Sequence, residues 1–458
     1  MTPRRAIYAA TLATVTSAAA ARADLGHETV SGVAVAQVSL ERAGHGAAGV
    51  PWGELSRART PGLHVVRFEA RGAAVLVPHC NGRGRVLVDG AVKDPGSKGP
   101  LVLRLEGADA HAIAIEVKVS SYEKRVACSE PPRVGEVVRS DDGLSLLRFA
   151  SAAKARGGGE AVVFVPGGHD RTRPAAVLVG VHPWNGTPWT YAAYAELLRA
   201  AGRRDVVLLM PSGLGNSLYV ADAEEEVMRA IEALGGELAI DRHRVSIWGA
   251  SMGGAGATTI GFHRPDRFAF VASYFGDSRY DLTTYVGPVL GGEAGAHAVN
   301  ALDVLDNARH LPVFLVHGED DRTSPVQQSV MLHDAMRRAG FAVELARVRG
   351  MGHEGPLVVR FIERVVERAS AAVAPVYPAR VSFRSVRAAD TGAYGVRLVR
   401  AGERDAFVDL EGRDDGVHVL AAEGVKEIVL EPGALGARTG APVVVEPGRP
   451  TPPVRWAP

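Results

Sequence analysis

Residues 244–263 read RVSIWGASMGGAGATTIGFH, and this stretch decides how the rest of the chain is read. Val245 and Ile247 alternate with their neighbours as strand residues do. Gly249-Ala250-Ser251-Met252-Gly253-Gly254 then breaks the pattern, and a run of small residues with helical character follows. A G-x-S-x-G pattern between a strand and a helix exposes a serine hydroxyl at a sharp turn. The residue types have a physical reason. The serine backbone is strained there, so the residues two before and two after it must be small. The helix that follows directs its first N–H groups at the serine, where developing negative charge would be stabilised. The five-residue pattern alone is common in a chain with 53 glycines, so the flanking strand and helix carry the inference. The competing reading is a glycine-rich loop ahead of an ordinary helix.

A nucleophilic serine needs a base and an acid to orient that base, in the chain order serine, acid, histidine. Both candidates lie downstream. LPVFLVHGEDDRTSP (311–325) is a buried strand, Val313 to Val316, running into His317-Gly318, with Asp320 and Asp321 on the loop beyond. An open α/β sheet gathers its site in such loops at the carboxyl ends of its strands. Residues 343–355 repeat the arrangement, with the strand VELARV followed by Arg349-Gly350-Met351-Gly352-His353-Glu354-Gly355. A histidine flanked by glycines can swing toward a partner. Alone, His353 would read as a solvated loop residue; as third in an ordered series it reads as functional.

GASMGG, HGEDD and GMGH together resemble the three catalytic segments of secreted α/β-hydrolase esterases, a group that grades into prolyl oligopeptidase-like proteins. The likeness extends through Gly213-Leu214-Gly215-Asn216-Ser217-Leu218-Tyr219, Ile240-Asp241-Arg242-His243-Arg244-Val245 and Arg264-Pro265-Asp266-Arg267-Phe268-Ala269, covering roughly residues 144–372. The resemblance implies Ser251 as nucleophile, His353 as base and Asp321, the fifth residue of H-G-x-x-D, as acid. One departure stands out. Family members carry His-Gly in the loop after the early strand that donates one oxyanion N–H, whereas this chain has His182-Pro183-Trp184-Asn185-Gly186. Pro183 has no N–H to give, so the expected donor is Trp184 or Asn185, with Met252 as the second.

Around this core the sequence divides into segments. MTPRRAIYAATLATVTSAAAARADL has a basic start at Arg4-Arg5, an apolar stretch and an A-x-A site at Ala21-Arg22-Ala23, the pattern of a signal peptide over residues 1–23. The apolar stretch is too short and too diluted by threonine for a membrane anchor, and no membrane span is expected in the mature protein. Residues 24–130 read as a small β-sandwich, since Ile113, Ile115, Val117 and Val119 share a face and Asp89-Gly90 marks a hairpin; the stretch VLVDGAVKDPG…LVLRLEGADAHAIAIEV resembles jelly-roll sugar-binding-type domains. Cys80 and Cys128 are the only cysteines, and export would allow them to form a disulfide; two buried thiols are the alternative. With His79 nearby they still match no usual zinc spacing.

Residues 131–143 form a linker, and 144–373 alternate strands with helices, which predicts a mostly parallel sheet covered on both faces. Glu224-Glu225-Glu226 opens one of these helices and reads as a solvated face suited to the positive end of the helix dipole. Residues 374–448 suggest a small antiparallel β-domain, and 449–458 a loose Pro-rich tail.

Composition narrows the function further. The formal net charge is +1 and basic residues form no cluster, so nucleic acid is not an expected partner. No glycine-rich phosphate loop joins a strand to a helix, so no nucleotide cofactor is inferred, and no metal site is expected. The sequence therefore predicts a secreted or periplasmic serine hydrolase that cleaves carboxylic esters through an acyl-enzyme. Small-molecule esters or acylated polysaccharides would be its substrates. The nearest alternative is a prolyl oligopeptidase-like peptidase. Such peptidases usually carry a large upstream propeller, and about 120 residues of β-structure are too few for one. A second alternative, from a different class, is a non-catalytic carbohydrate- or surface-binding protein.

Overall fold

A computed structural model gives the architecture. It describes residues 34–42, 62–71, 74–77, 83–95, 101–104, 111–119, 144–153, 159–188, 190–192, 194–282, 290, 292–445 and 451–457. The expected signal peptide (1–23), Cys80 and Cys128 lie outside the described residues. No helix among the described residues is long and apolar enough to cross a membrane.

The first seven strands are β1 (Ala34–Arg42), β2 (Gly62–Arg71), β3 (Ala74–Val77), β4 (Arg83–Val88), β5 (Ala91–Asp94), β6 (Leu101–Arg104) and β7 (His111–Val119). Five of them form an antiparallel sheet in the order β1-β2-β7-β4-β5, and β3 pairs with β6 in a separate ribbon. Asp89 and Gly90 both take positive φ, 49° and 82°, the requirement of a tight two-residue hairpin. The Asp89 carboxylate also accepts the N–H of Ala112 at 2.8 Å, which ties the turn to β7.

The central sheet comprises β8 (Leu144–Phe149), β9 (Gly159–Phe164), β10 (Ala175–Val181), β11 (Val206–Pro211), β12 (Ile240–Ala250), β13 (Phe270–Tyr274), β14 (Val313–Gly318) and β15 (Val343–Val348). Their order is β15-β14-β13-β12-β10-β11-β9-β8. β10 to β15 run parallel, and β9 pairs antiparallel with β11. All seven residues of β10 are buried, as a strand covered on both faces requires of a sequence such as AAVLVGV. Helices α1 (Ala195–Arg204), α2 (Asp222–Glu237), α3 (Met252–His263), α4 (Glu293–His297), α5 (Gln327–Arg338) and α6 (Gly355–Ala371) alternate with the strands. This is the α/β-hydrolase fold. After β10 the chain goes to β11 on one side and returns to β12 on the other, so the strand order reverses at β10. Such a reversal opens a crevice at the carboxyl ends of the two diverging strands.

The C-terminal strands are β16 (Arg380–Ser385), β17 (Gly392–Ala393), β18 (Val396–Arg400), β19 (Ala406–Arg413), β20 (Gly416–Glu423), β21 (Val425–Leu430), β22 (Val443–Val445) and β23 (Val454–Trp456). They differ from the expected single antiparallel sheet. Two four-stranded sheets, β16-β19-β20-β22 and β17-β18-β21-β23, enclose a core that includes Phe383, Val396, Leu410 and Ile428. The β20–β22 and β21–β23 pairs are parallel. The tail is not loose throughout: Val454–Trp456 pairs with β21 at the edge of the sheet. Short edge strands carry too few residues for a period-two pattern to show in the sequence.

Glu224-Glu225-Glu226 does not form the expected solvated face. Glu224 and Glu226 are buried, and only Glu225 keeps substantial exposure. Glu226 accepts from Ser151 Oγ at 3.0 Å and the Ala152 N–H at 2.7 Å. Glu224 meets Arg264 at 2.6 Å and Arg387 at 2.7 and 2.9 Å. Arg387 also binds Asp390, whose second oxygen lies 2.8 Å from His263 Nδ1 at the end of α3. This network joins the C-terminal module to the two helices that flank the strand reversal. Burial alone would push the Glu224 carboxyl up, but Arg387 and Arg264 outweigh it and hold the group below its ordinary range. Its folded value is therefore depressed. The stability it contributes is present above about pH 5 and is lost as the pH falls through the folded value. Glu224→Gln keeps the shape but removes the charge between two arginines, so it should cost about 3–5 kcal/mol in urea unfolding at pH 7. A loss under about 1 kcal/mol would mean that the network is a surface ion pair in effect.

Candidate active site

Ser251 sits at the C-terminal end of β12 with φ 57° and ψ −123°, a conformation that costs a non-glycine residue about 1–3 kcal/mol. The surroundings hold it there. Its N–H donates to the Tyr274 carbonyl at the end of β13 (2.9 Å), and its own carbonyl accepts from Ala255 as α3 begins (3.0 Å). The crowding expected of its neighbours is present. A Cβ on Gly249 would lie 2.4 Å from the Gly253 carbonyl oxygen, and one on Gly253 would lie 1.8 Å from that of Val181. Since β10 and β12 are adjacent, with Val181 opposite Gly249, the loop leaving β10 starts against the first turn of α3.

The three candidate residues come together from three different strand ends. Ser251 Oγ is 2.7 Å from His353 Nε2, and His353 Nδ1 is 2.8 Å from Asp321 Oδ2. A carboxylate can only accept, so Nδ1 carries the proton and Nε2 turns a lone pair to the serine hydroxyl. Asp321 Oδ1 accepts the N–H groups of Thr323 (2.8 Å) and Ser324 (3.0 Å). Burial works to raise the Asp321 carboxyl. Hydrogen bonds from His317, His353 and the Ser324 N–H prevail and hold it well below the usual carboxylate range. The adjacent Asp320 is exposed, and its backbone N–H is bound to the Met351 carbonyl.

Two supports were not anticipated from the sequence. The ring centroid of Phe275, from the residue after β13, lies 4.5 Å from that of His353 and forms an apolar wall for the imidazole. His317, fully buried, has Nε2 2.8 Å from the Ser324 carbonyl and 3.4 Å from Asp321 Oδ2. The carbonyl requires an Nε2–H, which the nearby carboxylate shares, while Nδ1 meets Ser329 Oγ at 2.7 Å. His317 was visible in the sequence as the last residues of a strand, but nothing there told that its ring turns toward the acid.

The loop 182–186 also follows from its neighbours. Asn185, at φ 60°, gives its N–H to Asn216 Oδ1 at 2.6 Å, and Asn216 Nδ2 donates to Asn185 Oδ1 at 2.7 Å. Gly186 N–H bonds to the Pro183 carbonyl at 2.9 Å. Among the described residues no group of three or more His, Cys, Asp or Glu side chains is disposed to hold a metal ion.

Residues 218–369 match the family model of the prolyl oligopeptidase family. That span contains the elbow serine, the strand-end aspartate and the loop histidine. The similarity to that family covers about a third of the chain. No curated protein matches it. Solved structures of similar fold include an S-formylglutathione hydrolase from Agrobacterium tumefaciens, 18% identical, covering 50% of this chain and 95% of that one, with a TM-score of 0.46. Others are a ferulic acid esterase at 16% identity, 50% and 97% coverage and TM-score 0.43, and an acylaminoacyl peptidase from Pyrococcus horikoshii at 15%, 67% and 52%, and 0.44. At these identities the likenesses do not separate esterase from peptidase chemistry.

The packing at the elbow leads to a direct test. Gly253→Ala puts a methyl into the Val181 backbone and should lower stability by at least about 2 kcal/mol. Gly236→Ala, in α2 with open space around it, should be neutral or raise stability by up to about 1 kcal/mol. Thermal unfolding of both variants checks the contrast, and equal effects would refute the close-approach account.

Proposed function

We propose that the protein is a secreted serine esterase. The observation that carries this reading is the continuous hydrogen-bonded chain from Ser251 through His353 to Asp321 at the carboxyl edge of the sheet. Ser251 Oγ attacks the ester carbonyl carbon while His353 Nε2 takes its proton. Asp321 holds the imidazole in the tautomer with Nδ1–H and stabilises the cation that forms. The carbonyl oxygen becomes an oxyanion bound by the N–H of Met252, at the start of α3, and by one N–H of the loop 182–186. His353 returns the proton to the leaving alkoxide, then activates water to cleave the acyl-enzyme and restore Ser251.

Carboxylic esters are the proposed substrates; the strands described before residue 120 form one five-stranded sheet and one two-stranded ribbon. Acylated polysaccharide is the substrate class that an exported enzyme with an added β-domain suggests. A prolyl oligopeptidase-like peptidase is the second reading, favoured by the family match over residues 218–369.

Wild-type protein should react with a fluorophosphonate at Ser251, and Ser251→Ala should lose both labelling and turnover with its fold intact. It should also hydrolyse short-chain aryl esters far faster than aminoacyl-proline amides. The reverse ranking would transfer the assignment to the peptidase reading, and full turnover in Ser251→Ala would end both.

The acid is tested separately. Asp321→Asn preserves shape but favours the wrong imidazole tautomer, so kcat should fall at least about a hundredfold. Asp320→Asn should stay within about tenfold, the scale of one ordinary hydrogen bond. Steady-state kinetics on both, with folding checked by circular dichroism, would show a larger loss at Asp320 if the acid is misassigned.

A further inference from the structure

The loop 182–186 leaves β10 beside the elbow, and the N–H groups of its turn, residues 183–186, can be accounted for one at a time. Pro183 has none. Gly186 N–H closes the turn on the Pro183 carbonyl, and Asn185 N–H is taken by Asn216 Oδ1. Trp184 is the residue of this turn whose N–H has no such bond. In the four-residue turn 183–186, Asn185 is the third residue and has φ 60°, the positive value that position needs in a type II turn and that asparagine accepts.

The other side of the clasp belongs to the loop after β11. Gly213, Leu214, Gly215, Leu218, Tyr219 and Ala221 all have positive φ, between 50° and 77°. A loop with that many left-handed residues is held from outside. Two buried contacts anchor it to the base of the 182–186 loop. His182 Nε2 faces the Ser212 carbonyl at 2.8 Å, and the Tyr219 hydroxyl donates to the His182 carbonyl at 3.2 Å. Burial pushes the His182 imidazole below its ordinary range, and its Nδ1 lies 2.8 Å from the Pro183 carbonyl. These contacts fix where the turn begins. Its tip is exposed, and Asn185 and Asn216 pair reciprocally there.

We propose that Asn216 is a positioning residue for catalysis: by clasping Asn185 it withdraws that residue's N–H and sets the turn so that Trp184 N–H is the second oxyanion donor. This rests on the serine-esterase reading and narrows its two candidate donors to one. A hydrogen-bonded pair in water adds little to overall stability. The clasp therefore acts on the geometry of a donor that must meet the oxyanion within a few tenths of an ångström. Losing an oxyanion donor outright costs about 10²–10³ in kcat, so loosening one should cost less.

Asn216→Ala, in the full chain, should lower kcat on an aryl ester by about 10- to 100-fold, with KM within about threefold and the melting temperature nearly unchanged. A trifluoromethyl ketone inhibitor, which forms a tetrahedral oxyanion on the serine, should lose affinity in the same proportion as kcat/KM. Asn185→Gly keeps the N–H and tolerates the positive φ but removes the side-chain half of the clasp. It should show a smaller loss in the same direction, and the double variant should be no worse than Asn216→Ala alone. It also provides a readout should Asn216→Ala fail to fold. Unchanged kcat in the single variants, a change confined to KM, or a melting temperature that falls in step with kcat would overturn the proposal. If wild-type protein forms no fluorophosphonate adduct at Ser251, the serine-esterase reading fails instead, before the clasp is tested.

Discussion

The close approach of α3 to the end of β10 governs much of this structure. Gly253 lies so near the Val181 carbonyl that no side chain fits between them, and Gly249 is closed in by the same backbone. That contact forces Ser251 into a strained left-handed conformation and keeps the strain from relaxing, because the serine N–H and carbonyl are both bound. Strain that the surroundings over-determine is a way to hold a reactive group in one orientation. The same contact brings the loop 182–186 beside the first turn of α3, where backbone N–H groups can converge on one oxygen.

Everything else at the site arrives through the sheet. Parallel strands place their carboxyl ends on one edge, so Ser251, Asp321 and His353 meet although 102 residues separate the serine from the histidine. Hydrogen bonds set the orientation of each. Asp321 is sealed from solvent and receives two backbone N–H groups, leaving its second oxygen for His353. The His353 side chain remains 20% exposed, enough for a water molecule to reach it.

The C-terminal module has a different relation to the site. It shares buried charge with the α/β core. Arg387 and Asp390 meet Glu224 and His263, Tyr394 donates to the Pro265 carbonyl at 2.8 Å, and Arg384 binds Asp306 at 2.6 Å. Removing the module would leave Glu224 buried beside Arg264 without its main partner, so it is part of the folded unit in energetic terms.

The sequence by itself determined the elements that depend on local pattern. The strands at 175–181, 270–274 and 343–348 and the strand–turn–helix around Ser251 could be read from hydrophobic period and glycine spacing, whereas the choice of Asp321 over Asp320 came from the resemblance to a known motif. Only the tertiary structure decided what depends on partners distant in the chain. Three consecutive glutamates look solvated until Arg264 and Arg387 arrive at Glu224 from another helix and another module. Asn216 and Asn185 each read as ordinary turn residues, and their pairing exists because β10 and β11 are neighbours in the sheet. His317 likewise ends a strand in the sequence but turns its ring to Ser324 and Asp321 in the fold. Periodicity reports which face of an element is buried, whereas the identity of what covers that face is fixed by topology.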